Sequence, residues 1–172
     1  MDVAELRALQ APIKEGYKNE PESAKVTARA EAALSGEDVA CRVTTSAGEA
    51  IVGLHPATGG DGSKACSADM LLEALVGCAG VTMKAVATAM RIPLGNSKVV
   101  AEGIWDARGT LAVDRDAPVG ITEVRLTFEI DASVDPKKLE KLVELTERYC
   151  VVFQTLANPP ELKTGYKTGN GS

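Results

Sequence analysis

Four cysteines and a single histidine are the side chains best suited to chemistry: Cys41, Cys66, Cys78, Cys150 and His55. No C-x-x-C spacing occurs, and one imidazole is too few for the usual zinc sites, so no metal centre is expected. Four thiols in 172 residues are also too few for a disulfide-framework scaffold. The cysteines are therefore either core residues, which is the commoner role of a free thiol, or reactive groups.

Two predicted helices carry Cys78 and Cys150. The first begins at Ser67, a plausible N-cap, and runs to about Arg91, with apolar residues on nearly every side. The second follows an Asp135-Pro136 start and places Cys150 on its apolar stripe. If these helices pack together, the two sulfurs can meet. Spacing alone does not establish that they do.

Two glycines, Gly77 and Gly80, flank Cys78 in the first of these helices. Each costs about 1 kcal/mol relative to alanine in a helix. We expect the close approach of another backbone to compensate for that cost.

The remaining elements are strands and one amphipathic N-terminal helix over residues 2–18, which contains Pro12. Alternating patterns predict strands at 25–32, 39–45, 50–54, 99–105 and 122–130. This order indicates an α+β fold with two main helices on a mostly antiparallel sheet. We divide the chain into an N-terminal extension and linker (1–23), one domain (24–168) and a short tail (169–172).

Composition excludes several classes of function. The chain is 45% hydrophobic and 25% charged, which is incompatible with general disorder, and its net charge of −5 favours neither nucleic acid nor an anionic membrane. The N-terminus lacks a signal-peptide pattern, and no uncharged run of 18 residues occurs. We expect a cytoplasmic location in which the thiols stay reduced.

The sequence does not contain several other common catalytic or nucleotide-binding motifs. The glycine-rich loop at 59–64 matches neither a P-loop nor G-x-G-x-x-G, and no G-x-S-x-G is present. A hydrolase or transferase with a cysteine nucleophile stays open as a weaker hypothesis, with His55 as its only possible imidazole base.

Two segments resemble motifs of the OsmC/Ohr family. The segment SADMLLEALVGC at 67–78 resembles the start of that family's central helix, and YCVVFQTLANP at 149–159 resembles its second cysteine motif. Met90–Leu94 is similar to the helix exit, and the likeness spans about residues 24–165.

This resemblance implies an intertwined homodimer with a buried central helix and thiols at the subunit interface. It also implies a thiol peroxidase that reduces organic hydroperoxides or hydrogen peroxide, with Cys78 as the peroxidatic and Cys150 as the resolving cysteine. The implied partner is a dithiol reductant of the lipoyl type, with no metal or organic cofactor. Cys41 and Cys66 are interpreted as structural.

The family activates its peroxidatic thiol with an arginine and a glutamate. Such activation is needed because an ordinary thiol is only about 3% thiolate at pH 7. Here Asp69 occupies the glutamate position, and Arg42, with Arg29 as the fallback, is the candidate arginine. Ala68 and Val151 replace prolines of the two motifs. These departures motivate an alternative function, a non-catalytic dimeric binding or stress-related protein with the same fold.

Overall fold

The computed structural model describes residues 1–34 and 36–168. Within these residues the helices are α1 (Val3–Asn19), α2 (Ser67–Met90), α3 (Ala107–Thr110), α4 (Pro136–Tyr149) and α5 (Val151–Ala157). The strands are β1 (Glu31–Ala33), β2 (Ala40–Thr45), β3 (Gly48–Gly53), β4 (Lys98–Ile104) and β5 (Glu123–Glu129). The mixed α+β class is confirmed. The tail predicted at 169–172 lies outside the described residues.

Helix α1 forms where the N-terminal pattern predicts it. Asp2 and Glu5 make a capping box, in which the main-chain N–H of Glu5 donates to Asp2 and that of Asp2 donates to Glu5. Pro12 does not break the helix. The carbonyl that loses its partner, that of Ala8, belongs to an exposed residue and can be hydrated by water.

The strands form two antiparallel sheets. The first has the order β1-β2-β3, and its β2–β3 hairpin turns through Gly48, whose φ of 129° favours glycine. The second pairs β4 with β5, with Val99 opposite Phe128. The strand predicted at 25–32 is mostly wrong, because only Glu31–Ala33 pairs with β2 and the residues before it are exposed.

Helix α2 is 24 residues long and buries a single stripe in this chain. The stripe repeats every fourth residue and consists of Leu75, Ala79, Met83 and Ala87. Its C-terminal half, Met83 and Ala87, belongs to the main core cluster. The cluster also contains Ile92 and Leu94, which follow α2, and Leu142 of α4. The N-cap is Cys66 rather than the predicted Ser67, because Cys66 still has extended backbone angles while its carbonyl already accepts from the Met70 N–H.

Much of the rest of α2 is apolar and accessible, and Val81 is 74% exposed. Among the described residues, α2 is the one helix long and apolar enough to cross a membrane, and 22% of that stretch is buried in this chain. Core helices of soluble proteins share this composition, so composition alone does not assign α2 to a membrane. The close backbone approach expected at Gly77 and Gly80 does not occur within this chain, since an added Cβ at either position would meet no atom within 4 Å.

Candidate functional site

Cys78 and Cys150, which lie 72 positions apart in the sequence, come together in the fold. Cys78 is half-buried in the middle of α2, and Cys150 is fully buried between α4 and α5, both of which pack against α2. The two thiols are neighbours, because each shifts the pKa of the other, and neither is in a disulfide. A reduced pair in contact has the arrangement from which a disulfide can form.

The chain breaks its helix at Cys150. The sequence predicts one continuous helix here, but Cys150 has φ −76° and ψ 110°, which are extended rather than helical angles. Its N–H donates to the Thr146 carbonyl and ends α4, while its own carbonyl accepts from the Gln154 N–H and begins α5. Its sulfur caps α5 by accepting from the Phe153 N–H at 3.4 Å. The second cysteine is therefore a junction residue with a buried sulfur.

The surroundings of Cys78 favour its thiolate. Partial burial raises the pKa of the Cys78 thiol, but hydrogen-bond donors outweigh burial and hold the pKa below its ordinary value. The donors, from largest effect to smallest, are the Val152 N–H, the Cys150 thiol, the Val151 N–H and the Thr82 hydroxyl.

Cys150 is shifted in the opposite direction. Burial raises the pKa of the Cys150 thiol, and the neighbouring Cys78 sulfur raises it further, although the Phe153 N–H acts against both. The proton of the pair therefore stays on Cys150, and Cys78 becomes anionic first. The chain thus supplies one nucleophilic sulfur and one protonated sulfur beside it.

The other two predicted site residues lie away from this pair in the single chain. Arg42 is on β2 and forms an ion pair at 3.0 Å with Glu49 of the neighbouring strand. Asp69 is exposed in the first turn of α2, about 13 Å along the helix axis from Cys78. Neither is among the groups that shift the Cys78 pKa. The structure brings Cys78 and Cys150 together and leaves Arg42 and Asp69 apart from them.

Sequence reasoning missed the donors around Cys78. Thr82 lies four residues after Cys78 in α2, so helical spacing could have identified it. The Val151 and Val152 N–H groups carry no sequence signal, because every residue except proline has one. Only the break at Cys150 directs them toward the sulfur.

Two of the cavities beside α2 lie near a cysteine or near the helix that follows Cys150. A groove of about 530 Å³ is bordered by α2, β5 and α5, and its wall includes Leu71, Leu75, Leu126, Phe153 and Leu156. A second cavity of about 370 Å³ lies at the start of α2 and includes His55, Cys66 and Trp105. The His55 and Trp105 rings meet edge to face at 5.3 Å, and His55 Nδ1 accepts from the Ala57 N–H. Within residues 1–34 and 36–168, no cluster of three or more potential metal ligands occurs.

Comparisons with known proteins agree on one fold. A family model described as OsmC-like protein matches residues 60–165, more than half of the chain. The OsmC-like protein of Mycoplasma pneumoniae has a similar structure, with TM-score 0.66 and 17% identity over 78% of this chain and 90% of that one. No curated protein matches the sequence significantly.

Two further solved structures carry functional names. An organic hydroperoxide resistance protein OsmC from Legionella pneumophila has TM-score 0.60 and 19% identity, over 78% of this chain and 92% of that one. The organic hydroperoxide resistance protein OhrB of Bacillus subtilis has TM-score 0.51 and 16% identity, over 78% and 93%. At these identities the structures establish the shared fold.

Proposed function

The chain belongs to the OsmC-like family, and from that premise we propose that it is a thiol-dependent peroxidase. Its substrates would be organic hydroperoxides or hydrogen peroxide. The observation that carries the proposal is the contact between a Cys78 sulfur with a lowered pKa and a protonated, buried Cys150. Two structurally similar proteins named for organic hydroperoxide resistance support the same substrate class.

The reaction begins at Cys78. Its thiolate attacks one peroxide oxygen, so that an S–O bond forms and the O–O bond breaks. The alkoxide leaves and takes a proton from water to become the alcohol, while Cys78 is oxidised to a sulfenic acid. For hydrogen peroxide the leaving group is hydroxide.

Cys150 then resolves the sulfenic acid. Its sulfur attacks Cys78, so that an S–S bond forms and the S–O bond breaks, and the departing hydroxide combines with the proton of Cys150 as water. A dithiol of the lipoyl type reduces the disulfide and is itself oxidised to a cyclic disulfide. This cycle requires neither a metal nor an organic cofactor.

We place the active form as a homodimer. The apolar side of α2 that carries Val81 is accessible in one chain, and a second copy would cover it. Within one chain Asp69 is about two and a half turns from Cys78, and Arg42 is paired with Glu49, so in this proposal both would act on Cys78 from the second copy. The N-terminal extension 1–23, which precedes the matched region, is assigned as a separate unit from the domain 24–168. A reducing cytoplasm fits the free thiols.

A second candidate is a non-catalytic dimeric protein that binds a small apolar molecule. The apolar groove beside α5 and the distance of Arg42 and Asp69 from Cys78 favour it. It differs from the peroxidase in requiring no accessible thiolate at Cys78.

Peroxide titration and peptide mapping test the peroxidase. The reduced protein is mixed with tert-butyl hydroperoxide, its free thiols are counted, and its peptides are mapped without reductant. We expect the loss of two thiols per chain and a peptide pair linked through Cys78 and Cys150, in wild type and in the control Cys66→Ser alike. Four thiols retained at tenfold excess of peroxide would instead support the binding protein.

A further inference from the structure

Helix α1 and the segment that follows it are hardly buried in their own chain. Every residue from 11 to 34 is exposed, and α1, which contacts α2, contains no buried residue. Helices in proteins draw most of their stability from packing an amphipathic face against another element. Within one chain, α1 therefore lacks most of the packing surface that a helix of its kind requires.

The apolar side chains of α1 form one stripe. Leu6, Leu9, Ile13 and Tyr17 repeat every three or four residues, which places them on one face of the helix. Leu9, Ile13 and Tyr17 are 58%, 51% and 42% exposed in the single chain. Large apolar side chains grouped in this way mark a surface that contacts another molecule.

The exposed area of the whole chain indicates the size of the surface that covers it. The chain exposes 13031 Å², whereas a compact monomer of 17.9 kDa exposes about 8,000 Å². The excess of about 5,000 Å² per chain has the size of an obligate subunit interface and far exceeds a transient contact. The wholly exposed segment 11–34 is part of this excess.

We propose that α1 is an arm of the dimer, which packs Leu9, Ile13 and Tyr17 against a second copy of this chain. The inference rests on the homodimer of the proposed function and adds the N-terminal extension to its interface. Because α1 contacts α2, a copy that covers the accessible side of α2 at Val81 also lies near α1. In a two-fold dimer each such contact occurs twice, once from each arm.

The charges of α1 favour a protein surface over a lipid surface. Residues 2–20 carry four acidic and three basic side chains, whereas helices that bind anionic membranes have a basic polar face. The net charge of −5 likewise gives the chain no electrostatic attraction to anionic lipid. A second copy is the occupant that both the charge and the exposed area fit.

Photochemical cross-linking tests which chain the stripe touches. The photoreactive residue p-benzoylphenylalanine is placed at Tyr17 and, as a control, at Ala8, which is nine residues away and therefore on the opposite face of the helix. The purified proteins are irradiated, and the products are separated under denaturing and reducing conditions. We expect the Tyr17 probe to give roughly tenfold more two-chain product than the Ala8 probe, because the probe reacts only with atoms that it touches. A single-chain product from the Tyr17 probe, or equal two-chain yields from both probes, would overturn the inference.

Ile13→Ala tests the same contact through the stability of the dimer. Alanine is the better helix former, so an uncovered stripe would tolerate this change or gain from it. A stripe covered by the second copy instead loses apolar contact in both arms. We expect Ile13→Ala to raise the Kd of the dimer, measured by sedimentation in moderate urea, by roughly tenfold or more. Ala8→Lys, on the opposite face, should leave the Kd within about twofold of wild type. An unchanged Kd in Ile13→Ala would contradict the arm.

Light scattering and peroxide consumption by the same proteins separate this inference from the proposed function. A dimer that yields only the single-chain product would contradict the arm and leave the homodimer standing. A dimer that yields the two-chain product but never consumes peroxide would support the arm and contradict the peroxidase. A monomer would contradict the arm and the homodimer together.

Discussion

Helix α2 carries two cysteines in contrasting surroundings. Cys66 is the N-cap of this helix and lines a cavity together with His55, the only histidine of the chain. A helix N-terminus and a nearby imidazole are two features that commonly accompany a reactive cysteine. Cys78, in the middle of the helix, has no imidazole beside it but neighbours Cys150, and N–H groups of α5 lower its pKa. Two-thiol redox chemistry needs a second sulfur within reach, and in the described residues Cys78 has one. We therefore propose the redox role for Cys78, the thiol with the less conventional surroundings.

The largest expected effect separates these two cysteines directly. Cys78→Ser should lower the rate of peroxide consumption with a dithiol reductant by roughly three orders of magnitude or more, because it removes the nucleophile. Cys66→Ser should retain the wild-type rate within about twofold. Steady-state assays at equal protein concentration measure both. A reversed order would move the peroxide reaction to Cys66 and the cavity that it shares with His55.

The next largest expected effect distinguishes the role of Cys150 from that of Cys78. Cys150→Ser should still react once with peroxide, but its Cys78 sulfenic acid should persist because no resolving thiol is present. A 1,3-diketone probe that is specific for sulfenic acids should label the Cys78 peptide in this variant and scarcely label it in wild type. Serine is close in size to cysteine, which suits the fully buried position. Equal labelling of both proteins would remove Cys150 from the mechanism.

A smaller effect concerns the order in which the pair ionises. Donors lower the pKa of Cys78, whereas burial and the adjacent sulfur raise that of Cys150. As pH rises, Cys78 should therefore become reactive toward iodoacetamide first, and Cys150 only at a pH above its ordinary range. Peptide-resolved alkylation of the reduced wild type across pH 5 to about 10 measures both midpoints. Simultaneous alkylation of the two cysteines would contradict the division into nucleophile and proton holder.

Side-chain patterns predicted the elements around both cysteines better than the junction at Cys150. Asp135 and Pro136 encode the start of α4, and the Asp135 carboxylate does accept from the Lys137 N–H. The apolar stripe continues past Cys150, with no glycine or proline to mark a break. At the break the Cys150 sulfur caps α5 by accepting from the Phe153 N–H three residues later, a local contact that hydrophobic periodicity does not encode.

In the candidate site, too, side-chain patterns predicted some features and not others. The two motif cysteines were identified from residue types, because sulfur chemistry belongs to a side chain. The Val151 and Val152 donors were not, because main-chain N–H groups acquire a role only from the direction of the chain. Arg42 was chosen by position in the sequence, and its partner in this chain is Glu49.

The smallest expected effect concerns Gly80, half a turn beyond Cys78. An added Cβ there meets no atom within 4 Å in this chain, and alanine is favoured over glycine in helices by about 1 kcal/mol. Gly80→Ala should therefore raise the free energy of unfolding by roughly 0.5–1 kcal/mol in urea denaturation and leave the Cys78 alkylation midpoint unchanged. Gly95→Ala provides the contrast: with φ +47° and Asp131 in the path of a Cβ, it should destabilise the protein. A destabilised Gly80→Ala would mean that another chain approaches α2 at this turn. That approach would not need to include the end of the helix at Cys66.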